Sequence, residues 1–296
     1  MTTGNSETAV KPTETVPTRI GCVAYLNTLP LIEGLGKLED VRLTLTAPSK
    51  LIDLLIDDEV DMALVSLIDA QHAPEPLAMI PVGMIGCDGP TLTVRLFSSV
   101  PIEQVRIVHT DADSHTSATL LRILLKHLTG HVPEMVEFDA DAHRAHVQQT
   151  ESEGRDPEWP EALLLIGDKV VTDSPPAILY PHQLDLGEAW KEMTGLPFVY
   201  ATWMCLERRA AEPAIVTAAS VLDRQRRHNA GRLDWIVNHR APVRGWPIRL
   251  AREYVRTLLR YDVTDAHREA ADRFFDEAAA IDAIEQRRPT RWVEPG

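Results

Sequence analysis

The chain lacks most of the features that narrow a function quickly. Only three of its 296 residues are cysteines, Cys22, Cys87 and Cys205, odd in number and far apart. Without a CxxC pair there is no basis for a disulfide framework or a cysteine-built zinc site, and each thiol reads as a small buried hydrophobe. Aromatic residues make up 5% of the chain, so the core must come mainly from Leu, Ile, Val and Ala. No apolar run approaches the roughly 18 residues that a membrane span needs. The GxGxxG fingerprint, the phosphate-binding P-loop and the GxSxG nucleophile elbow are all missing. His127 and His131, and His143 and His146, have no carboxylate at metalloprotease spacing and read as surface histidines. Positive charge is also short: 30 Lys and Arg against 44 Asp and Glu leave a formal net charge of −14. That balance disfavours nucleic acid and anionic membranes as partners.

What is present is a regular alternation of strand and helix signals. Residues 1–18 are rich in Thr, Glu and Pro, have neither a basic start nor an apolar stretch, and read as a disordered tail rather than a secretory signal; a cytoplasmic location is expected. Residues 19–24 read as a first strand. Asn27-Thr28 followed by Pro30 reads as a helix start over 28–35, with Asn27 as its cap. Residues 42–46 alternate as a half-buried strand does, 51–56 recur at helical spacing, and 61–66 form a short apolar strand. This order implies a parallel sheet with right-handed crossovers. Further strands are expected at 77–82, 91–97, 105–109, 162–166 and 198–206, and a strong helix at 117–128. From residue 212 onward the pattern is helical, with breaks near 241–242 and 246–247. Residues 151–161 read as a surface insertion. An apolar stripe of Phe274, Phe275, Ile281 and Ile284 reads as core or as the face of a homodimer. The expected organisation is α/β and two-lobed: residues 19–96 plus 206–296 in the first lobe and 97–205 in the second, each lobe a mixed, mostly parallel sheet flanked by helices.

In open parallel sheets, ligands bind beyond the C-terminal ends of the strands. That rule selects Tyr25 and Asn27, Ser66, the Cys87–Pro90 turn with Asp88 and Gly89, then Thr91 and Thr93, the run Ser114-His115-Thr116-Ser117, and Gly167-Asp168. The run at 114–117 precedes a strong helix, whose N-terminus carries about half a positive charge and suits a carboxylate or phosphate. An acidic protein can thus hold an anion with amides and hydroxyls. The same residues have plainer readings: a helix cap for 114–117, a turn former for Asp88, and a Gly-Asp turn as readily as a catalytic acid for Asp168.

Several motifs then carry a resemblance. Val23-Ala24-Tyr25-Leu26-Asn27-Thr28-Leu29-Pro30-Leu31 resembles the opening of the chorismate dehydratases of the futalosine route to menaquinone. Cys87-Asp88-Gly89-Pro90, Ser114-His115-Thr116-Ser117, Leu165-Ile166-Gly167-Asp168 and the long run Asp185-Leu186-Gly187-Glu188-Ala189-Trp190-Lys191-Glu192-Met193-Thr194-Gly195-Leu196-Pro197-Phe198-Val199 follow in that family's order, so the likeness spans about residues 19–203. It implies a periplasmic-binding-protein-like type II fold with a ligand cleft between the lobes, and conversion of chorismate to 3-[(1-carboxyvinyl)oxy]benzoate without a cofactor. It implies catalytic roles for Asn27 and for the hydroxyl of Thr93, and a base that is either the substrate's own side-chain carboxylate or Asp168. Tyr25, Ser66, Asp88, Gly89, Ser114, His115, Thr116, Ser117 and Gly167 are the expected substrate-binding positions. His115 stands where the family often has Arg. Two other readings share the fold: a solute-binding protein for a small carboxylate, which normally requires export, and the sibling 1,4-dihydroxy-6-naphthoate synthase. The Tyr25-Leu26-Asn27 opening favours the dehydratase.

Overall fold

A computed structural model describes residues 17–111, 115–153 and 158–294. Of the tail expected at 1–18, residues 1–16 lie outside the described residues and Thr18 opens the first strand; Ser114 and the middle of the expected insertion also lie outside them. Eleven strands are present among those described: β1 (Thr18–Cys22), β2 (Val41–Leu45), β3 (Met62–Ser66), β4 (Leu77–Cys87), β5 (Val94–Ser98), β6 (Ile107–Thr110), β7 (Glu134–Glu137), β8 (Ala162–Ile166), β9 (His182–Asp185), β10 (Phe198–Leu206) and β11 (Leu259–Arg260).

They form two sheets. The first has the order β2-β1-β3-β10-β4-β11 and the second β7-β6-β8-β5-β9. In the first, β1 pairs in parallel with β2 and β3, and β10 runs antiparallel between β3 and β4. In the second, β6 pairs in parallel with β7 and β8, and β5 runs antiparallel between β8 and β9. Apart from β11, the two sheets therefore share one plan, each taking one antiparallel strand just after the chain crosses into it. β3 and β8 are continuous apolar runs because a parallel strand covered on both faces has no solvent side.

The sheets do not divide where the lobe boundaries were expected. β5 begins at Val94, before residue 97, and β10 belongs wholly to the first sheet although residues 198–205 were expected in the second lobe. The reason is pairing: β10 is held along nearly its whole length by β4, which runs on through Gly83 and Gly86 past its expected end at Val82. β7, β9 and the helix Ala140–Ser152 were not foreseen; they are short or largely polar and carry little periodicity. The expected helix over 28–35 is instead a 3-10 turn, Leu26–Thr28, leading into a four-residue α-helix, Leu29–Ile32.

The apolar stripe near the C-terminus is core, not a dimer face. Phe274 and Phe275 on the helix Asp265–Ala280 are fully buried, and Ile284 is also buried. The Phe274 ring meets Trp190 and Phe198 edge-on, with centroids 6.3 and 5.2 Å away, and Phe198 meets Tyr200 at 4.7 Å. Trp190, Phe198, Tyr200, Phe274 and Phe275 thus form one aromatic group where the C-terminal helix meets both β10 and the helix Leu186–Thr194, and Phe97, Phe138, Trp159 and Tyr180 form another on the second sheet. Among the described residues no helix is long and apolar enough to cross a membrane. Phe274→Ala is expected to lower unfolding free energy by about 3–5 kcal/mol; a urea midpoint equal to that of the unaltered protein would show that this ring does not close the core.

Candidate functional site

A cavity lies where the two sheets face one another. The first sheet contributes Tyr25 and Asn27 from the turn after β1, and Leu64 and Ser66 from β3. The second contributes Val94 of β5, Ile166 and Gly167 at the end of β8, and Thr116 and Ser117 at the start of the helix His115–Thr129. The crossing segments add Ile85, Thr91, Thr93, Tyr200 and Ala201, and the C-terminal segment adds Tyr254 and Leu259.

Tyr25, Asn27, Ser66, Thr93, Thr116, Ser117 and Gly167, all named as candidates from the sequence, therefore line one cavity. Four others do not. The Asp88 carboxylate is paired with Lys191 Nζ at 2.7 Å, and that ammonium holds it below the usual carboxylate range. Gly89 packs its carbonyl against Gly187. His115 turns away from the cavity and meets Asp69 Oδ1 at 2.9 Å through Nδ1. Asp168 accepts the backbone N–H of Leu26 on both carboxylate oxygens, at 3.2 and 3.3 Å. Burial raises the Asp168 carboxyl above its ordinary value, and the Leu26 N–H opposes that rise. For Asp88, His115 and Asp168 a charge or a backbone N–H remote in the chain has taken up the side chain.

Asn27 does not cap a helix. Neither the 3-10 turn nor the helix after it has a side-chain cap. Thr28 Oγ1 donates instead to the carbonyls of Val23 and Tyr25, both at 2.9 Å, and Asp168 satisfies Leu26 N–H from across the cavity. Asn27 Oδ1 is buried with no hydrogen-bond partner among the described residues. A buried acceptor left open on a cavity wall is a place for a ligand's donor.

Thr93 is held by a construction around Asp185, which is itself part of the long motif at 185–199. One Asp185 oxygen accepts from Thr91 N at 2.9 Å and the other from Leu92 N at 2.7 Å. The first also caps the helix Leu186–Thr194 through Gly187 N and Glu188 N, at 3.1 and 3.2 Å. Leu92 stands at φ +71, a conformation L-residues rarely adopt. Gly187 is required for the close approach: a Cβ there would lie 2.1 Å from Thr91 Oγ1 and 2.6 Å from Cys87 Sγ. Thr91 Oγ1 is hydrogen bonded to Tyr200 Oη at 2.7 Å and donates to Cys87 Sγ at 3.1 Å. Burial pushes the Cys87 thiol up to about 11 and the Tyr200 phenol well above its ordinary value, so both stay neutral.

Tyr200 and Tyr254 escaped the sequence reading. Tyr200 sits inside the strand β10, where alternation alone does not separate a cavity wall from the core. Tyr254 opens a π-helical turn, Tyr254–Leu258, far along the chain in what reads as plain helix. A tyrosine just after the 246–247 break was the available signal. Among the described residues, no Asp, Glu, His, Lys or Arg lines the cavity. The site offers hydroxyls and an amide in an otherwise apolar enclosure, suited to holding an anion by neutral donors and unsuited to acid–base work by a protein carboxylate or imidazole.

Comparison with known proteins agrees with this architecture. A family model described as menaquinone biosynthesis matches residues 18–280. A chorismate dehydratase of Thermus thermophilus is 28% identical over 232 residues, covering 73% of this chain and 79% of that protein. Among solved structures, a protein from Archaeoglobus fulgidus superposes with a TM-score of 0.64 at 15% identity, covering 92% of this chain and 100% of the other. A Candida albicans protein described as having the generic periplasmic binding protein fold gives 0.58 at 10% identity, with 92% of each chain covered. These likenesses speak for the fold, which is the two-lobed periplasmic-binding-protein-like α/β arrangement expected from the sequence.

The Asp168 carboxyl gives a pH test. Its folded-state pKa lies above its unfolded value, so its contribution to stability is full below the unfolded pKa and is lost as pH rises through the folded one. The stability of the unaltered protein relative to Asp168→Asn is therefore expected to rise as pH falls from neutrality toward the ordinary carboxylate range. Denaturant midpoints measured across that range would read it, and parallel curves for the two proteins would refute it.

Proposed function

The chain belongs to the menaquinone-biosynthesis family, and within that family we propose that it is a lyase that removes water from chorismate to give 3-[(1-carboxyvinyl)oxy]benzoate. The observation that carries this reading is the cavity itself: neutral hydroxyl and amide donors, with no acid or base among its described lining residues. A substrate that brings its own base fits such a site.

Chorismate does. Its ring carboxylate is conjugated through the diene to C3, so a carbanion at C3 is delocalised and the C3 proton is acidic. The side-chain carboxylate, joined through oxygen at C3, is within intramolecular reach of that proton. The side-chain carboxylate takes the C3 proton, the C3–H electron pair becomes the second bond between C3 and C4, the C4–O bond breaks, and the departing hydroxide receives the proton from that carboxyl group to leave as water. Aromatisation of the ring drives the step. Asp168 is a weaker choice of base, since its carboxylate is engaged by Leu26 N–H and does not line the cavity.

The residues divide by task. Ser66, Thr116 and Ser117 suit the carboxylates. Thr116 Oγ1 accepts Ile68 N–H at 3.2 Å, which leaves its own proton to donate. Asn27 Oδ1, otherwise unpartnered, accepts from the C4 hydroxyl and orients it; an amide is no base at neutral pH. Thr93 donates to the oxygen that leaves, where charge develops. Gly167, at φ +63, brings the chain against the Tyr25 ring, where a Cβ would sit 3.2 Å from it. A cytoplasmic site of action belongs to this reading, since three buried free thiols suit a reducing compartment.

Incubation of the purified protein with chorismate is expected to give a product lighter by one water with an aromatic absorption spectrum. Chorismate bound tightly but unchanged would favour a solute-binding protein instead. Asn27→Ala is expected to lower kcat by roughly 100-fold while KM changes little; equal losses in affinity and turnover would reduce Asn27 to a binding residue. Because no described lining residue titrates near neutrality, kcat should be flat with pH there. A limb with a pKa near that of histidine would point to a protein base.

A further inference from the structure

We propose that Tyr254 is a positioning residue for this reaction, its hydroxyl fixing the direction in which Thr93 offers its proton. The kinetic part of the proposal rests on the dehydration reading above. Tyr254 Oη lies 2.5 Å from Thr93 Oγ1, and the tyrosine is 1% exposed. The ring is held on both sides of the question: it stacks on Trp246 with centroids 5.1 Å apart and planes 12° from parallel, and the short strand β11 that follows pins the segment to Cys87 and Gly86 of β4. The π-helical turn between Tyr254 and β11 widens the helix at this point, as such turns often do at functional sites.

Two hydroxyls that share one hydrogen bond must divide the roles of donor and acceptor. A phenol is the more acidic of the two and the better donor; an aliphatic hydroxyl is the better acceptor. Burial pushes the Tyr254 phenol up, and the side chains of Thr93 and Asn27 only partly oppose this, so the proton stays on the phenol. Tyr254 therefore donates to Thr93. Thr93's backbone carbonyl is occupied by Gly167 N–H at 2.8 Å, and its hydroxyl proton is left to point into the cavity. Accepting one hydrogen bond strengthens the one it donates. Thr93 becomes a donor aimed at the leaving oxygen rather than an acceptor that would repel it.

The test is Tyr254→Phe, which removes the hydroxyl and keeps the ring on Trp246. kcat is expected to fall about tenfold with KM within about twofold, while the far-UV spectrum and thermal midpoint stay near those of the unaltered protein. An unchanged kcat in a protein that turns chorismate over would overturn the proposal and leave the dehydratase reading standing. A second measurement does not depend on turnover. In protein carrying ring-fluorinated tyrosine, the 19F resonance assigned to Tyr254 by its loss in Tyr254→Phe is expected to shift on Thr93→Val. A resonance that stays put would overturn the pairing whichever substrate the protein takes. Failure to consume chorismate together with a shifted resonance would sink the dehydratase reading and leave the pairing intact.

Discussion

The Asp185 carboxylate ties together the segments that hold one wall of the cavity. It lies buried at the end of β9 and accepts four backbone N–H groups, two from the helix it caps and two from the Thr91–Leu92 segment on the far side. A charged acceptor contributes roughly 1.5–3 kcal/mol per such bond, so the two bonds to the Thr91–Leu92 segment together match or exceed the roughly 1–3 kcal/mol that an unfavourable backbone conformation such as that of Leu92 costs. The strained turn is thereby held, and with it the two threonines on either side of Leu92. Arg95, 3.3 Å from the same carboxylate, supplies the counter-charge. The 185–199 motif thus acts on the cavity without lining it.

The two halves are joined across the cavity by side chains whose polarity suggested chemistry. Asp168 on the second sheet satisfies an N–H of the first; Thr116 accepts Ile68 N–H; His115 meets Asp69, which is 4% exposed. Each contact bridges a strand end of one sheet and a helix start or strand end of the other. In a two-lobed protein such contacts favour the closed arrangement, and their loss on opening would expose donors and acceptors to water rather than strand them.

What the sequence disclosed follows from range. The strand-end rule found Asn27, Ser66, Thr93, Thr116, Ser117 and Gly167 because each stands within a few residues of the apolar run that places it. It could not tell a side chain facing the cavity from one drawn aside, since that depends on a partner remote in the chain: Lys191 for Asp88, Asp69 for His115, Leu26 N–H for Asp168. Tyr254 is the extreme case, 161 residues from the hydroxyl it meets, on a π-helical turn that no simple periodicity announces. The fold class was legible from the alternation of elements. The assignment of β10 to the first sheet was not, because antiparallel insertion between β3 and β4 leaves no mark on the strand's own composition.

An acidic chain with a dianionic substrate, as proposed here, might be expected to carry cations in its site. The argument from catalysis runs the other way. Chorismate and its product each keep both carboxylates, but in the step proposed the side-chain carboxylate takes up the C3 proton, so a lysine or arginine paired with it would lower its basicity and hold the ground state more tightly than the transition state. Charge leaves that carboxylate and develops on the conjugated ring and at the departing C4 oxygen. Donors aimed at the leaving oxygen discriminate the transition state, and fixed neutral donors do so with little reorganisation. On the proposed reading the hydroxyls at the head of the helix His115–Thr129 serve the carboxylates, and Asn27 with the Tyr254–Thr93 pair serves the leaving oxygen. Asn27 Oδ1, buried on the cavity wall without a hydrogen-bond partner among the described residues, lies on the side where the proposed change occurs.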